Sequence, residues 1–509
     1  MDWGFVRSMF VRAVLGLVLS LAILGRPSLA RAEWQRAESA HFVVYSDGGE
    51  SGLRAFTAKL EDFDALLRLF HGRAPDQDDT ARKLDVYLVR SADQLQRVFP
   101  DAESAAGVYT AGPNDIFAVA IRKSTGLADD AVLHEYVHHF MLQHYPGAYP
   151  AWLVEGYAEY FMTADIQDKK ILVGAPNGAR VSNLLNGSWV SSRDLLTKRP
   201  RALTERQGAM YYGQSWLLTH YMLSDPERKK QLSAFVAATA RGEEPLTAWP
   251  KTTGVAVDDL ERVMRGYLRS AIPNKTLVRD KQPDFPMVVT TLPASAGDLM
   301  LENQLAKRGP PKELGQRLLK TVRADAAKYP GDRLATLTLA RVEADYGDRA
   351  AAETMLADWI AKHPDDAEAL RLAGESRLDA AKALKDKPAE AKALVAEAAK
   401  FFGRANKAQP DAYQTLYGFA KTRVGEPGYP SDNTLNVLEL SAQLAPQVSE
   451  IRLTAGQALA ARGRYADAHA MLEPVANSPH GGQMSETAAA LLKSIREKLA
   501  AAPGQSPSS

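Results

Sequence analysis

The chain has 509 residues, long enough for two or three domains, each with its own core. Its 62 Lys and Arg offset 61 Asp and Glu to a net charge of +1, so no global field draws it to nucleic acid or to an anionic membrane, and partners must be recognised locally. Cysteine is absent, which excludes disulfides and a lipid on an N-terminal Cys and leaves stability to the core and to any bound metal.

Residues 1–32 have the layout of a secretory signal: Arg7 and Arg12, an apolar stretch over 13–24, Gly25-Arg26-Pro27, then Ala30-Arg31-Ala32 before Glu33. The apolar part is short for a membrane span. The expectation is an exported protein, periplasmic or extracellular, with cleavage after Ala32 and no stable membrane insertion thereafter; an uncleaved anchor is the alternative. From 33 to about 122 the pattern is α/β. The runs 41–45 and 84–89 are β-branched and aromatic, each followed by a helical pattern, and a third strand is expected over 115–121. A helix follows, with Asp129 or Asp130 as its cap.

That helix carries His134, Glu135 and His138. Two imidazoles four apart on a helix share one face and can share one metal ion, and the Glu after the first His is placed to take a proton from water polarised by that ion. Catalytic zinc takes three protein ligands, commonly two His and one Glu. Glu155 is the candidate third. The sixteen residues between His138 and Glu155 suffice to end one helix, turn at Pro146-Gly147 and start another near Pro150. Glu159, one turn further on the same face, is placed to accept the free ring N–H of a ligating His. His139 is rotated about 100° from His138 and points elsewhere.

The run 131–161, with His134-Glu135-Tyr136-Val137-His138 and Trp152-Leu153-Val154-Glu155-Gly156-Tyr157-Ala158, resembles the gluzincin metallopeptidases, and its second part is particularly similar to the aminopeptidase-N branch. The whole chain resembles peptidase-MA-like proteins with a tetratricopeptide region. The resemblance implies zinc held by His134, His138 and Glu155, with Glu135 as general base. It also implies an α+β zincin-like catalytic domain, here over 33–271, in which the strand over 115–121 is an edge strand bordering the cleft.

Downstream, 165–201 is rich in Gly, Asn and Ser and reads as loops at the cleft rim. A helix begins near Gly208. Its run from Tyr212 is similar to the aminopeptidase-N stretch whose tyrosine hydrogen-bonds the oxyanion, a role that falls on Tyr212, with Tyr211 as the alternative. The proline-bearing stretch 272–297 reads as a linker. Beyond it, Pro330, Pro364, Pro410, Pro446 and Pro479 recur at intervals of 34, 46, 36 and 33, near the tetratricopeptide period, so an all-α tetratricopeptide solenoid is expected over 298–500. The long interval holds an Ala/Lys-rich insertion around Pro388, and 501–509 reads as a disordered tail.

The combined expectation is an exported zinc metallopeptidase acting on a peptide or protein substrate, with repeats that bind a protein partner. Two other readings stay open: a tetratricopeptide scaffold whose zinc site is structural or vestigial, and a zinc hydrolase of a non-peptide amide or ester.

Overall fold

Short runs of Val, Ile, Tyr and Phe between polar turns form the strands. In chain order these are β1 (Gln35–Glu38), β2 (Phe42–Ser46), β3 (Leu84–Val89), β4 (Gly107–Ala111), β5 (Ile116–Ile121), β6 (Asp165–Ile166), β7 (Lys170–Val173), β8 (Lys275–Val278) and β9 (Val288–Thr291). They are taken from a computed structural model, which describes residues 33–73, 82–103, 105–122 and 127–501. The expected signal segment 1–32 and all but the first residue of the expected tail lie outside the described residues. Among the described residues no helix is long and apolar enough to cross a membrane.

Six strands form one sheet in the order β4-β5-β3-β2-β1-β9. β2, β3 and β5 run parallel at its centre, while β4, β1 and β9 join antiparallel to their neighbours. Every residue of β5 is buried, as expected for a strand covered on both faces. One face packs on the helix Glu50–Phe70 and on the motif-bearing helix Leu127–His144. The other packs on Ala92–Val98 and on the first helix of the C-terminal half, Ala296–Lys307, whose Ala296, Met300 and Leu301 meet Tyr87, Val89 and Phe117. The strand expected at the cleft edge, 115–121, lies one position inside, and β4 is the edge. β4 gives a weak sequence signal because all five of its residues are only half-buried.

The helix Ala151–Met162 follows the motif helix after a short turn and packs against the helix Glu205–Leu223, whose N-terminus is closed by a Thr204/Gln207 capping box. Gly156 explains how close these two helices come. A Cβ there would lie 2.2 Å from the Ser215 carbonyl oxygen and 2.2 Å from Thr219 Oγ1. Gly156→Ala is therefore expected to force the helices apart and to lower stability by about 1–3 kcal/mol, the usual range for overpacking. Chemical denaturation of the purified variant checks this, and unchanged stability would contradict the packing.

The stretch 272–297 is not a free linker. It contains β8, which completes a three-stranded sheet β6-β7-β8, and β9, which closes the far edge of the main sheet against β1. Scattered prolines and charges hid two strands that draw their hydrogen bonds from distant partners. Helical hairpins follow: Ala296–Lys307 with Lys312–Ala326, Arg333–Tyr346 with Arg349–Lys362, Ala367–Ala383 with Pro388–Ala408, Tyr413–Lys421 with Asp432–Leu444, and Ser449–Ala461 with Tyr465–Ala476, ending in Gln483–Ala501. The recurring prolines each lie just before the first helix of the next unit. The 46-residue interval comes from the lengthened Ala367–Ala383 and Pro388–Ala408, with Pro388 at the first position of its helix, where its missing N–H costs nothing.

The hairpins do not stand apart from the α+β unit. Tyr413 donates to the Gly112 carbonyl at 2.9 Å, Arg199 Nη2 donates to that of Ala476 at 2.5 Å, and Arg496 Nη2 to that of Ala240 at 3.3 Å. Lys307 and Arg82 share the buried carboxylate of Asp115, at 2.8 and 2.7 Å. One hydrophobic core runs from the sheet through the motif helices to Ile495.

Candidate metal centre

His134 and His138 stand one turn apart on Leu127–His144, and Ala151–Met162 brings Glu155 opposite them. Nε2 of His134 lies 3.1 Å from Nε2 of His138, and Glu155 Oε2 lies 3.2 Å from the first and 3.5 Å from the second. Tetrahedral zinc with bonds of about 2.0–2.1 Å holds its donors roughly 3.3 Å apart. The three atoms therefore already have the mutual spacing of one zinc's ligands.

The polar accounting supports the same fit. Glu155 is fully buried, yet neither of its carboxylate oxygens, nor His138 Nδ1, has a hydrogen-bond partner of good geometry. A buried carboxylate with empty lone pairs is costly unless a cation meets it. Burial alone would depress the His134 pKa, but Glu155, with Glu135 and Glu159 behind it, outweighs burial and holds it up at about 9. Burial would raise Glu155, and the two imidazoles instead hold it far below the usual carboxylate range. Such a site is built for positive charge.

Glu159 lies 3.7 Å from His134 Nδ1, ion-pair range rather than a hydrogen bond. Its main partner is Arg180, which grips it from Nε at 3.0 Å and Nη2 at 2.7 Å and lies over the Tyr212 ring at 4.9 Å. Tyr212 is half-buried, with its ring centroid 6.1 Å from that of His134. Burial, then Glu155 and Glu135, push its phenol pKa up, and no hydrogen bond contributes. Tyr211 is fully buried and donates to the Lys198 carbonyl at 3.0 Å, so its hydroxyl is engaged away from the cleft.

Asp129 and Asp130 lie inside the motif helix rather than capping it. His139 hydrogen-bonds Tyr109 of β4 at 3.0 Å and lies 3.4 Å from Gln447 of the repeats, with its pKa pushed down by burial to about 3. Neutral His139 thus ties the edge strand to the motif helix. A second acidic group, His41, Glu61 and Asp64, is internally satisfied: His41 Nδ1 meets Glu61 at 2.7 Å, Arg68 Nε meets Asp64 at 2.5 Å, and Tyr136 donates to Asp64 at 2.7 Å. It braces the motif helix through Tyr136, the neighbour of Glu135.

Glu135 and His138 open onto a cavity of about 290 Å³. Its floor is the motif helix and one side is β4, while the opposite wall comes from the repeats through Pro446, Gln447, Arg452, Val475 and His480. The His480 ring centroid is 5.9 Å from that of His138. Arg180, His480 and the repeat wall carry no local signal in the sequence. They reach the site by contacts across 20 to more than 300 positions, and only the recurring proline before His480 marks its neighbourhood.

No family model matches this chain, and no curated protein matches it. Among solved structures, a thermophilic TPR protein of Thermus thermophilus aligns at 18% identity over 41% of this chain and 98% of that one, with a TM-score of 0.31.

Proposed function

We propose that this protein is an exported zinc-dependent peptidase of gluzincin type, with a zincin-like α+β unit and tetratricopeptide-like repeats that help form its cleft and bind protein. The observation that carries the reading is the meeting of three atoms able to ligate one metal ion, His134 Nε2, His138 Nε2 and Glu155 Oε2, with Glu135 beside them on the cavity wall. Zinc held there supplies Lewis acidity toward the scissile carbonyl and makes water a nucleophile near neutral pH. Glu135 takes the proton of the attacking water and returns it to the leaving amine. Tyr212 donates its phenolic hydrogen to the oxyanion, held in place by the Arg180 guanidinium over its ring. Among the described residues β4 pairs with β5 alone, and its outer edge can take an extended peptide by backbone hydrogen bonds, which favours a peptide over another amide or ester.

The presence of Glu135 on the cavity wall favours this reading over a purely structural site, which needs no base. A broad peptide-library cleavage assay on the zinc-loaded full-length protein tests it, and absence of any cleavage would remove it. For Tyr212→Phe we expect retained zinc and turnover down on the order of a hundredfold, the usual effect of losing one oxyanion donor. Tyr211→Phe should act less on turnover, because its hydroxyl is held by Lys198. Steady-state kinetics of the pair decide, and the opposite ranking would give the oxyanion role to Tyr211.

A further inference from the structure

The cavity beside the candidate metal centre contains a buried cation with no counter-ion among the described residues. Four arginines are buried among the described residues: Arg68, Arg341, Arg371 and Arg452. The first three have carboxylate partners: Arg68 pairs with Asp64 at 2.5 Å, Arg341 with Glu368 at 3.1 Å and Arg371 with Glu375 at 2.7 Å. Arg452, 7% exposed, has none among the described residues. Its Nε donates to the Met471 carbonyl at 3.1 Å and its Nη2 to the Ala470 carbonyl at 3.2 Å. The second bond has a structural reason. Pro474, inside the helix Tyr465–Ala476, has no N–H, so the carbonyl four residues back needs another donor. Both acceptors are neutral, however, and they leave the charge uncompensated. Burial alone moves the Arg452 pKa, downward to about 10, with no acidic group acting on it.

An uncompensated buried guanidinium is costly to the free protein and is rarely kept without a partner. Arg452 lines the same cavity as Glu135 and His138, where Met141, Leu142, Val154 and Val475 make much of the wall apolar. An apolar cavity with one unmatched charge and a few polar groups is how small-ligand sites are built. Guanidinium suits carboxylate in particular, because its planar N–H donors match the two oxygens.

We propose that Arg452 is the anion subsite of this cleft, and that the repeats thereby select peptides whose carboxylate, at the C-terminus or on an Asp or Glu side chain, enters the repeat-walled cavity. The substrate class rests on the peptidase reading; binding of the carboxylate does not.

Binding to the zinc-loaded full-length Glu135→Gln protein tests this without turnover. The probes are N-acetylated dipeptides compared as acid and amide: a C-terminal free acid against its C-terminal amide, and a C-terminally amidated Glu peptide against its Gln counterpart. The acid of at least one pair should bind about tenfold tighter or more, the range of a desolvated charge-assisted contact, and that pair names the source of the carboxylate. Adding Arg452→Gln should bring the preference close to one, and Arg452→Lys should retain part of it. Equal affinities within both pairs overturn the proposal even if the Arg452 variants fail to fold, and so does a preference that survives Arg452→Gln. A selective holoprotein whose wild type cleaves no peptide would overturn the peptidase reading and leave the subsite standing.

Discussion

Glu135→Gln in the full-length protein is expected to keep its zinc and its fold and to lose peptide turnover by roughly a hundredfold to ten-thousandfold or more, the range for removal of a general base. Glu135 lies between the two histidines in sequence but outside the donor cluster, which is made by His134, His138 and Glu155. It is half-buried on the cavity wall, open to whatever occupies the cleft. The amide of Gln has the same shape and cannot take up the proton, so the variant separates proton transfer from metal binding. Turnover kinetics with elemental analysis of the same sample give the answer. Retained turnover would take the base role from Glu135, and lost zinc would place it in the ligand set.

A chain ending at Ala271 is expected not to fold, although the proline-bearing stretch after it reads as a domain boundary. The truncation removes β9, which pairs with β1 over four residue pairs, and β8, which completes the small sheet. It also removes Ala296, Met300 and Leu301 from one face of the main sheet, exposing Tyr87, Val89 and Phe117. Each large apolar side chain returned to water costs about 1.5–3 kcal/mol, against a net stability of roughly 5–15 kcal/mol for a typical protein. Gln447, which donates to Gln143 on the motif helix at 2.6 Å, is lost as well. Solubility and a thermal melt of the truncated chain check this. A cooperative melt near that of the full chain, with zinc bound, would show that the repeats are dispensable for folding.

The cluster of His134, His138 and Glu155 was legible because its geometry is local. His134 and His138 are fixed by helical period, and the distance to Glu155 is one turn and one helix. The repeat period was legible for a related reason, since each proline sits at the same place in successive hairpins. β4 and β9 were not, because an edge strand takes its identity from its neighbour: Tyr109 and Val289 join the sheet only through β5 and β1. The closure of the repeats over the cleft was the least legible feature. Nothing near Arg452 or His480 in the sequence points to His138, more than 300 positions upstream.

The central claim is that His134, His138 and Glu155 hold one zinc ion. Elemental analysis of the purified full-length protein and of Glu155→Ala, after dialysis against trace zinc, tests it most directly. The account predicts one zinc per wild-type chain, and in the variant zinc lost or much weakened with a lower melting temperature, since the ion ties two helices together. Zinc-free wild-type protein, or a Glu155→Ala chain that keeps full zinc occupancy, would contradict it.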